Sequence, residues 1–254
     1  MDNLLDYPLL IFALSFFTLC LSVVIGALLR RVRDLKGDTH KNYEVVLAAA
    51  LTLLALIIGF SFSMATNRYD QRKNYEEEEA NAIGTEYLRA DLLPAAEADK
   101  IRVLLRKYTF QRVLFYNTHD TQQLAQINAR IAQLQAELWS VVAESAESRP
   151  APIIALVASG MNDVLNSQGY TQAAWWNRIP TAAWILMASI AICCCLLVGY
   201  DLRDMKAGRT LIPILPLIVS IAFFLIADID SPRGGFIRVS PQNLISFSES
   251  LNAQ

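Results

Sequence analysis

Charge is scarce in this sequence. Asp, Glu, Lys and Arg make up 18% of 254 residues against 54% hydrophobic, whereas an ordinary soluble domain carries about 25% charged residues. With a positive mean hydropathy as well, the chain belongs in a bilayer. The formal net charge is −2, and its basic residues gather in no arm or helix long enough to track a phosphate backbone, which excludes nucleic acid as a partner. Histidine is almost missing. His40 and His119 lie far apart in predicted polar loops, so neither a metal pair at helical spacing nor a catalytic dyad arises. There is no Gly-rich phosphate loop, no nucleophile elbow and no cysteine set against a histidine, and an enzyme is not expected. Cys20 sits in one apolar run and Cys193, Cys194 and Cys195 are consecutive in another; neither a disulfide framework nor a zinc spacing follows. No cofactor or metal is expected. Nothing reads as a strand, a long-period repeat or a low-complexity linker.

What is abundant is long runs without charge. A helix crosses about 30 Å of hydrocarbon in about 20 residues, because in lipid each backbone amide must bond within the helix. Pro8 to Leu29, Val45 to Thr66, Thr181 to Gly199 and Leu211 to Ala227 each contain no Asp, Glu, Lys or Arg. The fourth is shortest and holds Pro213 and Pro216, which predicts a kink near its start. Asp2 and Asp6 precede the first run with no basic residue and no small-residue cleavage site follows it, which argues against a removable signal peptide. Tyr7, Trp175, Trp176 and Tyr200 stand where headgroup layers are expected. The expected fold is an all-α integral membrane protein: two transmembrane helices in 1–66 (about 8–29 and 45–66), an extramembrane helical bundle in 67–178, two more transmembrane helices in 179–227 (about 181–199 and 211–227), and a tail in 228–254.

Four spans put both termini and the helical domain on one side of the membrane. The short loops hold eight basic residues, including Arg30, Arg31, Arg33, Lys36 and Lys41, and six flank the spans on the other side. The positive-inside rule thus leans towards cytoplasmic short loops, by two residues.

Asn67 to Leu93 has no Pro and one Gly, so the second span should run on as a single helix of nearly fifty residues ending near Pro94. Ala95 to Asn117 carries Ile101, Leu104, Leu105 and Tyr108 on one face, an amphipathic stripe. Leu124, Ile127, Ile131, Leu134, Leu138 and Val141 recur at alternating three- and four-residue spacing, the seam of a coiled coil or helical hairpin. A shorter helix over Pro152 to Ser167 should precede Gly169.

Two features could carry function. The acidic run Glu76 to Glu79 points in four directions around a helix and cannot converge on one ion from a single chain. It reads first as a solvated face; in an oligomer, one member such as Glu78 would repeat as an ion-attracting ring. The second span has a polar half, and Thr52, Leu56, Phe60, Ser63 and Asn67 share one helical stripe. Its hydroxyls could serve only to bond their own helix. Around an axis of several copies, the same stripe would form an apolar constriction with a polar exit.

Gly59 and Phe60, then seven residues, then Arg68 and Tyr69, followed by Gln71, Arg72 and Lys73, resemble the pore-helix signature of bestrophins. The order of two spans, a helical domain, two spans and a tail is similar to theirs. The tail Asp228 to Gly235 and the run Glu78 to Leu93 resemble a bacterial bestrophin-like family first catalogued as a domain of unknown function. The resemblance implies a pentameric ion channel in a bacterial inner membrane, conducting small inorganic ions, with the second span lining the pore and Leu56 and Phe60 at its neck. Thr52 is polar where animal bestrophins have an aliphatic residue, and the tail lacks the acidic run of their calcium clasp. Family topology implies a cytoplasmic helical domain and cytoplasmic termini, and outweighs a charge difference of two. The competing reading is a non-conducting sensor or scaffold acting through the coiled-coil helix. A transporter would be expected to carry intramembrane charges or broken helix pairs.

Overall fold

The computed structural model describes residues 6–32, 38–201 and 212–252, and every element there is helical. The helices are α1 (Pro8–Val32), α2 (Asp38–Arg89), α3 (Ala95–Asn117), α4 (Thr121–Ser148), α5 (Pro152–Trp176), α6 (Thr181–Asp201), α7 (Ile214–Asp230) and α8 (Gln242–Asn252), with one 3-10 turn at Ala90–Leu92. Among the described residues three stretches are long and apolar enough to cross a membrane: Pro8–Arg30, within Tyr43–Leu92, and within Pro152–Asp201. The fourth expected span, α7, has 17 residues. Its expected start at Leu211, residues 33–37 of the first basic loop and residues 202–210 of the second lie outside the described residues. The chain divides into two compact units, Met1–Tyr69 with Arg178–Arg238, and Asp70–Asn177 with Val239–Gln254. The expected tail is therefore shared between units, and its second half forms a helix, α8.

In the first unit α1, α6 and α7 pack around Leu19, Val23, Met187, Ala191, Cys195 and Ile226. Two glycines set the approach of α1 to α6. A Cβ on Gly26 would strike the Leu196 carbonyl, and one on Gly199 the Val23 carbonyl, so the two backbones touch; with no hydrophobic drive between helices in lipid, such close packing supplies the association. Arg30 donates to the Asp201 carbonyl at 2.7 Å and closes the C-terminus of α6. The two prolines expected to kink the fourth span stand at the start of α7. Pro213 is the residue before the helix and Pro216 lies in its first turn, where a missing N–H costs nothing because those donors have no helical partner.

In the second unit the stripe of α3 (Ile101, Leu104, Leu105, Tyr108) is buried, as are Ile127, Ile131, Leu134, Leu138 and Val141 of α4. The α4 seam is filled by α3 and α5 of the same chain. Asp120 caps α4 by accepting from Gln123 N at 2.8 Å. Two sequence expectations give way here. Gly169 does not end α5, which continues to Trp176; a Cβ there would meet nothing, so this glycine is an exposed interior position. Trp175 is not an interfacial anchor but packs on Phe115 and Tyr116 at ring separations of 5.0 and 5.4 Å, leaving Trp176 exposed.

Candidate ion-conducting face of the second helix

Helix α2 runs unbroken for 52 residues. Its membrane stretch is the least covered of the three: 11% of the apolar window is buried, against 28% for each of the others. Leu54, Ser61 and Ala65 are its buried positions between Val45 and Thr66. Thr52, Leu56, Phe60, Ser63 and Asn67 are all exposed, Leu56 at 52% and Phe60 at 62%. Thr52 Oγ1 donates to the Ala48 carbonyl at 2.8 Å, which satisfies the hydroxyl within its own helix. Gly59 is exposed too, with open space where a Cβ would stand. The stripe thus combines two bulky apolar side chains with Ser63 and Asn67, polar groups that a hydrocarbon environment penalises.

Arg68 and Tyr69 turn away from that stripe. Arg68 Nη1 lies 3.7 Å from Asp230 Oδ1 at the end of α7, with the two side chains 15% and 2% exposed. The Ile179 N–H donates to both Asp230 oxygens at 3.2 and 3.1 Å, and Arg178 Nε lies 3.7 Å from Oδ2. Arg178 also pairs with Asp6. Two carboxylates at the C-terminal end of a helix are opposed by its dipole; Asp230 is compensated by two guanidiniums, and Asp228 accepts from Phe236 N at 2.7 Å and Ile237 N at 2.9 Å. Gly234 and Gly235 are required by this turn, since a Cβ on either would strike the Asp6 or the Asp228 carbonyl. The tail motif is therefore a capped turn. In sequence Arg68 and Asp230 belong to separate motifs, and nothing in the local spacing joins them to Asp6 or Arg178.

The acidic run divides by helical phase. Glu77 and Glu78 are exposed, whereas Glu76 and Glu79 are buried, which corrects the reading of the whole run as a solvated face. Glu79 forms a buried ion pair with Arg112 of α3, whose Nη2 donates to Glu79 Oε2 at 3.0 Å, and Thr171 of α5 donates to the same oxygen at 3.1 Å. The Arg112 guanidinium lies 4.5 Å over the Phe115 ring. The Glu79 carboxylate raises the Arg112 pKa further against the opposing effect of burial. Glu76 accepts from Asn243 Nδ2 at 2.7 Å and Leu244 N at 3.0 Å, capping α8. Burial raises its pKa, and those bonds oppose the rise. Among the described residues no group of His, Cys, Asp and Glu could hold a metal ion.

A sequence profile described as the Bestrophin-like domain matches residues 12–244. The chain belongs to the bestrophin-like family. That places it in a family of membrane ion channels rather than enzymes. Solved structures agree on the fold. A bacterial bestrophin homologue from Klebsiella pneumoniae with a tyrosine-to-alanine mutation superposes with a TM-score of 0.66 at 13% identity, over 94% of this chain and 97% of that one. Another crystal structure of such a homologue from the same organism, phased on zinc, gives 0.64 at 13% identity over 96% and 97%. A crystal structure described only as a membrane protein, with a proline-to-alanine mutation, gives 0.65 at 13% identity over 95% and 97%. No curated protein matches the chain by sequence.

Proposed function

We propose that this bestrophin-like protein is a homo-oligomeric ion channel, pentameric, whose pore is lined by α2. The observation that carries this is the α2 stripe: Leu56 and Phe60 uncovered beside uncovered Ser63 and Asn67, on the least buried of the long apolar helices. An axis of like copies satisfies both kinds of residue, because the apolar pair forms a ring narrow enough to dewet and the polar pair lines a wet exit. In this reading α1, α2, α6 and α7 are the four spans, in a bacterial inner membrane, with the helical domain and both termini cytoplasmic. Glu78 is exposed, while Arg68 is paired and Arg72 buried; a Glu78 ring would attract cations, and a cation preference follows. The α4 seam that favoured a scaffold is filled within the chain, so no specific observation now supports that alternative.

The test is planar-bilayer recording of purified protein in asymmetric potassium chloride, with Phe60→Ala in parallel. Discrete currents reversing towards the potassium potential, and larger in Phe60→Ala, support the neck assignment. Equal currents from both proteins remove Phe60 from the neck. Silence from a monodisperse oligomer removes the channel.

A further inference from the structure

We infer that Asp230 sets the ion preference of the pore by holding the Arg68 guanidinium against the end of α7, off the conducting face of α2; the inference rests on the channel reading above. Arg68 directly follows Asn67 and lies about 100° around the helix from it. It therefore flanks the stripe, at the border between the buried positions Ser61, Ala65 and Arg72 and the exposed positions Met64, Asn67 and Gln71. An unanchored arginine there, on a long flexible stem, would extend towards the wet side, where its charge is solvated.

Asp230 opposes this because its carboxylate is almost wholly buried and already oriented. The Ile179 N–H fixes both oxygens, and the two guanidiniums approach opposite oxygens, Arg68 at Oδ1 and Arg178 at Oδ2. Arg178 has a second carboxylate in Asp6, whereas the ion pair of Arg68 is with Asp230. Neutralising Asp230 therefore releases Arg68 rather than Arg178. One released charge per subunit, repeated around the pore axis, would repel cations and attract anions; a unit charge some 8 Å from an ion changes its occupancy about twofold even in water-like dielectric.

The experiment compares wild type, Asp230→Asn, Asp230→Glu, Arg68→Gln and the double variant Asp230→Asn/Arg68→Gln, each confirmed as the same oligomer and recorded in a potassium chloride gradient. Asp230→Asn is expected to lower the potassium-to-chloride permeability ratio at least about twofold, while Asp230→Glu, Arg68→Gln and the double variant keep the wild-type ratio. A pair that only ties helices together predicts lost assembly, not a selectivity shift cured by removing Arg68. An assembled Asp230→Asn channel with wild-type selectivity overturns the inference and leaves the channel reading standing. Silent wild type overturns both. Should Asp230→Asn fail to assemble, Asp230→Ser is the second neutral variant; failure of both beside a normal Arg68→Gln oligomer assigns Asp230 to the fold alone and overturns the inference.

Discussion

Four consecutive glutamates show how far identity alone leaves a residue undetermined. Glu76 to Glu79 are chemically the same, yet two cap or pair inside the second unit and two face outward. Removing one member of the Glu79–Arg112 pair would leave a buried charge without a partner, the costly form of such a change. A further acid of α2, Glu86, answers to pH. It is buried, both its oxygens lack hydrogen-bond donors, and Gly160 leaves room for it where a Cβ would not. Arg89 stands 3.9 Å away and Asp163 of α5 adds like charge. Burial pushes the Glu86 carboxyl up to about 8, with Arg89 opposing the rise and Asp163 adding to it. The folded state then holds a proton that the unfolded chain releases near 4.5, so the stabilising contribution is full below that pH and declines as pH rises through about 8. Thermal unfolding in detergent from about pH 5 to about pH 9 should show the midpoint falling with pH in wild type and less steeply in Glu86→Gln. Parallel slopes would show that Glu86 titrates normally.

At the scale of elements, periodicity and breakers gave the helices, and contact decided what each face meets. The α4 seam packs on α3 and α5 of its own chain. The prolines of α7 mark its start. The close approach of α1 to α6 was not legible at all, because Gly26 and Gly199 lie in separate apolar runs and become a motif only when the two backbones meet. Replacing Gly199 with Leu should separate these helices; we expect loss of the monodisperse species on gel filtration, whereas Gly59→Ala, in open space, should leave it intact. A Leu variant that elutes and melts like wild type would mean that α1 and α6 do not depend on the close approach.

On the scale of the whole molecule, one chain leaves the membrane part of α2 largely uncovered, and the missing neighbours are supplied in our reading by its own copies. Native mass measurement should give a species of about five chains of 28.3 kDa. A monomer that stays monodisperse as detergent is diluted would dispose of the pore, since no axis would exist for Leu56 and Phe60 to surround.

The sequence by itself determined the membrane class, most of the helices and the family, because hydropathy, helix-breaking residues and short motifs are local properties that survive without a fold. It also placed Thr52, Leu56, Phe60, Ser63 and Asn67 on one stripe, which follows from helical phase alone. Only the tertiary structure decided which side of α2 is covered, that Glu79 lies beside Arg112, and that Arg68 meets Asp230. Those pairings join residues 33 positions apart in one case and on different helices in both. Burial and charge pairing depend on distance in space, which sequence spacing does not encode.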